Sequence, residues 1–109
     1  MDINKELFLI RSVILEEIHN KGNIDTNPEK IEARTKYLSS LLKKTSANYL
    51  HNFTNDEKLD IVTLITNMID LLSDELAYID NVSDLVPNEI NTLELLLSDY
   101  NNLLKKFVS

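Results

Sequence analysis

Between residues 62 and 79 the chain places Val62, Ile65, Ile69, Leu72, Leu76 and Ile79 at alternating steps of three and four. That spacing gathers apolar side chains into one seam of a helix packed in an antiparallel bundle. Thr54 and Glu57 open the segment as a capping box, in which each side chain satisfies a backbone donor near the other, so a helix is predicted over about residues 55–80. A first helix over about 3–21 has the stripe Ile3, Leu7, Ile10, Ile14 and Ile18, with Asp2 as its N-cap and Gly22 placed to take the left-handed conformation that closes it. Asn27 followed by Pro28 opens a second helix. Its stripe of Ile31, Leu38, Leu42, Thr45, Tyr49 and Phe53 extends it to about residue 52, with Lys30, Lys36, Lys43 and Lys44 on other faces. Pro87 begins a fourth over about 87–107, with Val86, Ile90, Leu93, Leu97, Tyr100, Leu104 and Phe107 in register and Lys105 and Lys106 where the helix dipole favours cations. Four such helices joined by short loops predict an all-α, single-domain, up-down-up-down four-helix bundle across residues 1–109.

Two of these helices are more apolar than one seam requires. Around the third helix Ile61, Leu64, Met68, Leu71 and Tyr78 flank the seam and widen the apolar arc to about 200°, where a surface helix uses a stripe somewhat over 100°. In the first, Phe8, Leu9, Val13 and Leu15 lie off the stripe. In the fourth, Leu95 points away from it among Asn88, Asn91, Asp99 and Asn102. Either two neighbours per helix absorb this surface, or part of the first or third helix is an interface, a homodimer contact or the groove of a partner protein. Phe8, Leu15, Leu64, Leu71, Tyr78 and Leu95 are the candidate contacts. Glu75 falls inside the arc of the third helix, where a buried carboxylate needs a counter-charge, and Arg34 or a Lys of the second helix is placed to supply one. Asp60, Asp70, Asp74 and Glu75 make a membrane span of this helix too costly.

Composition adds compartment and partner class. One Gly and two Pro among 109 residues leave few turns and therefore long elements. The absence of Cys excludes disulfides and thiolate metal sites and fits the cytoplasm, and the start shows no export signal. Thirteen Asn and abundant Lys point to an AT-rich coding genome, as in a low-GC bacterium or its phage. The net charge is −7 and unevenly spread: residues 1–50 hold eight cations against seven acids, whereas residues 54–100 hold eleven acids against Lys58 alone. Asp60, Asp70, Asp74, Glu94 and Asp99 form the acidic half of the candidate surface, joined by Asp80, Asp84 and Glu89. Such a surface repels nucleic acid and anionic lipid and attracts a basic protein. The alternatives are a nucleic-acid mimic, or a nucleic-acid binder acting through the lysines of the second helix and Tyr37.

Little in the chain points to catalysis. A di-iron bundle requires two Glu-x-x-His pairs, and Glu16-x-x-His19 is matched only by Asn48-x-x-His51. Glu29-x-x-Glu32 and Glu57-x-x-Asp60 resemble the magnesium-binding acids of helical nucleotide pyrophosphohydrolases of the MazG type, with Pro28 where that family has its first Glu. The resemblance implies a magnesium-dependent pyrophosphohydrolase as the enzymatic alternative. No Gly-rich phosphate loop and no His-Glu-x-x-His run occurs. No catalytic, cofactor or metal residue is assigned. The expectation is a non-catalytic protein that masks another protein through an apolar anchor and an acidic rim, as an inhibitor, immunity factor or regulatory subunit does. In size and helical class the chain is similar to helical bacteriocin immunity proteins and phage-encoded inhibitors, with no shared motif.

Overall fold

A computed structural model describes residues 2–24, 27–81 and 87–108. These residues form five α-helices and no strand: α1 (Ile3–Ile24), α2 (Pro28–Lys44), α3 (Tyr49–Asn52), α4 (Asn55–Asn81) and α5 (Pro87–Val108). The predicted starts are built as the sequence implies. Asp2 accepts from the Lys5 N–H at 2.9 Å, and Asn27 accepts from the Glu29 N–H at 3.0 Å ahead of Pro28. At the head of α4 the Thr54 N–H donates to Glu57 at 2.8 Å while the Glu57 N–H donates to the Thr54 hydroxyl at 3.1 Å. Four side chains, two carboxylates, an amide and a hydroxyl, thus cap backbone donors that no helical carbonyl reaches. Val86 and the loop acid Asp84 lie outside the described residues.

Two boundaries differ from expectation. The second helix does not run to residue 52: it stops at Lys44, and Thr45 turns extended at φ −78°, ψ 93°. The Thr45 hydroxyl donates back to the Leu41 carbonyl at 2.8 Å, and the Arg11 guanidinium takes the Thr45 carbonyl at 2.9 Å. With that carbonyl occupied from α1, the Tyr49 N–H closes a turn on Ser46 instead, at 2.9 Å, which is how hydroxyl side chains compete with a helical ladder. The apolar register survives the break, since Tyr49 and Phe53 remain buried. Gly22 does not end α1, which continues to Ile24 without a positive φ; one interior Gly costs a helix only about 1 kcal/mol.

The core joins Leu9, Ile10, Val13 and Ile14 of α1, Leu38 and Leu41 of α2, Tyr49 and Phe53, Ile61, Leu64, Ile65 and Leu72 of α4, and Tyr100 and Leu103 of α5. The face that α1 buries is therefore rotated from the predicted stripe toward Leu9 and Val13, leaving Leu7 and Ile18 only partly buried, and Ile3 in the first turn is exposed. Tyr49 packs its ring between Phe53 and Phe107, with centroids 6.4 and 5.6 Å away. Close backbone pairing joins α1 to α2, α4 to α5, and α1 to α4, so two helical hairpins meet along α1 and α4. The body is flattened, 44 × 36 × 20 Å, with a radius of gyration of 15.4 Å, against about 13 Å for an equant domain of this length. Among the described residues no helix is long and apolar enough to cross a membrane.

Candidate protein-binding surface

Five of the six apolar candidates lie on the surface. Phe8, Leu15, Leu71, Tyr78 and Leu95 are 53 to 69% exposed, whereas Leu64, at 6%, belongs to the core. On α1, Phe8 and Leu15 are seven residues apart and project about 180° from the buried face, with Arg11 and His19 exposed beside them. On α4, Leu71 and Tyr78 continue the row that Leu64 begins. The first position is covered and the next two are not, because α4 is the longest helix and, among the described side chains, its second half contributes only Leu72 and Ile79 to the buried set. Leu95 is the one apolar candidate on α5.

The acidic candidates separate in the same way. Asp70, Asp74 and Glu94 are exposed. Asp60 is taken up inside the molecule by the Tyr37 hydroxyl, and Asp99 by Lys5 at 2.8 Å. Burial, and then the Asp60 carboxylate, push the Tyr37 phenol well above its ordinary value. The Arg34 guanidinium lies over the Tyr37 ring, 5.3 Å from its centroid. Glu75 is therefore neither buried nor the partner of Arg34: it is exposed on the lip of an open cleft of about 480 Å³ between α4 and α5, lined with Ile79, Glu89, Thr92 and Leu93.

The buried carboxylates among the described residues are Glu57 and Glu6, and Glu6 was not singled out in the sequence. It is 2% exposed, accepts from the Tyr49 hydroxyl at 3.1 Å and pairs with Lys106. Its place was readable once Leu9 and Val13 are core, because Glu6 precedes them by three and seven residues and so shares their face. Glu6 fastens α1 to α3 and to the end of α5. Burial, followed by the Glu6 charge, pushes the Tyr49 phenol upward. A second internal pair joins Lys44 to Glu57 at 2.8 Å. The Lys44 ammonium, then the Thr54 N–H, hold the Glu57 carboxyl below its ordinary value. Leu59 and Val108 were also missed: both are exposed and line a cleft of about 330 Å³ with Val62 and Phe107.

Among the described residues no three His, Cys, Asp or Glu side chains are grouped to hold a metal ion. Of the four acids in the magnesium-type pattern, Glu29 and Glu32 are exposed on α2, with Glu32 beside Lys36 at 3.3 Å, and the other two are the acids bound by Lys44 and Tyr37. The arrangement leaves large apolar side chains and carboxylates exposed on regular helix faces. Compared with protein-family models, with curated proteins and with solved structures, the chain gives no match in any of the three.

Proposed function

We propose that this protein is a non-catalytic binding module that masks another protein, acting in the cytoplasm as an inhibitor, immunity factor or regulatory subunit. Its long helices serve as an up-down-up-down scaffold that holds the contact side chains in place. The observation that carries the reading is the set of large apolar residues left in solvent on regular helix faces, Phe8 and Leu15 on α1 and Leu71 and Tyr78 on α4. Exposed single apolar residues are ordinary, but here two large ones recur at seven-residue spacing on one face of each helix, and clustered exposed apolar surface supports a protein contact there. Asp70, Asp74 and Glu94 supply the rim and favour a partner with a basic surface.

The test is affinity capture from source cells with the wild type and with two doubly substituted baits, Phe8→Ser/Leu15→Ser and Leu71→Ser/Tyr78→Ser. A protein retained by the wild type and lost from at least one variant supports the reading. Identical captured sets from all three baits would overturn it.

A further inference from the structure

The protein-binding reading leaves the occupant open, and the face of α4 narrows it. Leu64, Leu71 and Tyr78 follow one another at steps of seven, about 10 Å apart along the axis. Alongside the start of that row α2 is fastened to α4, through Tyr37 to Asp60 and Lys44 to Glu57. Asp60 and Glu57 stand on the same side of α4 as the row, so α2 is the neighbour on the side of Leu64. Leu71 and Tyr78 carry the row into solvent.

Carboxylates border this exposed strip on both sides. Asp70 and Asp74 are exposed along one edge and Glu75 along the other. Past Glu75 lies the cleft between α4 and α5, where Ile79 and Leu93 form an apolar floor and Glu89 stands with Glu75 in the lining. Between Leu59 and Leu104 the sequence holds no Lys or Arg. The face is thus one apolar strip between two acidic edges, and the stretches of α4 and α5 that form it hold no Lys or Arg.

We propose that this face docks a lysine- or arginine-rich amphipathic helix of another protein. The apolar stripe of that helix lies on Leu71 and Tyr78, and its flanking cations meet Asp70 and Asp74 on one side and Glu75 and Glu89 on the other. The cleft accepts one long basic side chain, its aliphatic stem against Ile79 and Leu93 and its charged head between the two glutamates, since such side chains bury their stems and keep their heads polar. A helix laid in an apolar groove is a recurrent mode of recognition. A second copy of this chain fits poorly, because a two-fold contact sets each patch against itself and would oppose the same carboxylates.

The test uses a capped 18-residue Leu/Lys peptide with one apolar helical stripe, and a scrambled peptide of the same composition, titrated by fluorescence anisotropy against the full chain. The striped peptide is expected to bind at least tenfold more tightly than the scrambled one. Leu71→Ser/Tyr78→Ser is expected to weaken it tenfold or more and Asp70→Asn/Asp74→Asn severalfold, while Phe8→Ser/Leu15→Ser changes it less than twofold. Circular dichroism confirms that each variant is folded. Equal binding of both peptides, or full binding by Leu71→Ser/Tyr78→Ser, overturns the proposal. Loss of binding in Phe8→Ser/Leu15→Ser alone also overturns it, although the broader protein-binding reading then survives on α1. A dimer of the free protein that Leu71→Ser/Tyr78→Ser dissolves overturns it in favour of self-association.

Discussion

Leu64 and Leu71 stand at equivalent positions of one helical row, yet only the first is covered. The contrast gives a stability prediction. Leu64→Ser, which removes a buried side chain and buries a hydroxyl, is expected to cost about 3 kcal/mol, whereas Leu71→Ser and Tyr78→Ser stay within about 0.5 kcal/mol of wild type; urea unfolding of the three variants measures the difference. Glu6 is the polar counterpart. Its oxygens are occupied by Tyr49 and Lys106, and Lys106 is half in water, so Glu6→Gln is expected to cost about 1–2 kcal/mol, less than a fully buried pair would. The raised Tyr49 phenol favours the protonated form in the fold, so its contribution is complete below the ordinary value of about 10 and is lost as pH rises through the higher folded value. Unfolding titrated from pH 9 upward should show this loss in wild type and less of it in Tyr49→Phe. Periodicity could place Leu64 and Leu71 on one row but could not separate them, because that depends on where a neighbouring helix stops covering α4.

Helix starts were the most legible features, since a cap is a local contract between residues two or three apart. Asp2, Asn27 with Pro28, and Thr54 with Glu57 each bond as their spacing implies. The break after Lys44 was illegible because its cause is remote in sequence: Arg11, 34 residues away, takes the carbonyl of Thr45. The same reason hid Glu6, whose partners lie 43 and 100 residues away. Glu75 was misplaced by the opposite error, since the helical wheel put it in an apolar arc that no neighbour covers there. The capping box carries a prediction at this scale. Thr54→Ala is expected to cost about 1 kcal/mol, read from the unfolding midpoint. Glu57, with its folded value depressed by Lys44 and Thr54, contributes stability that is present above the ordinary value of 4.5 and lost as pH falls below it. Lys44→Met should flatten that acid-side loss.

At the scale of the whole molecule the two hairpins meet along α1 and α4 and leave a flattened body. The all-helical class was legible from spacing and the scarcity of Gly and Pro; the flattening was not, because wheels describe single helices and carry no interhelical distance. Such a shape presents broad helix faces, and on the proposed reading the net charge of −7 steers a cationic partner over long distances. Association with such a partner is expected to slow severalfold between low salt and 0.5 M salt, by stopped-flow mixing, with a smaller change in dissociation. The most direct measurement of the central claim is photo-cross-linking in living source cells, with a benzophenone side chain placed at position 71 or 78, and at exposed Thr63 and Thr66 for comparison. The account predicts a discrete adduct with another protein from positions 71 and 78 and little from 63 or 66; equal yields from all four positions, or no adduct from any, would contradict it.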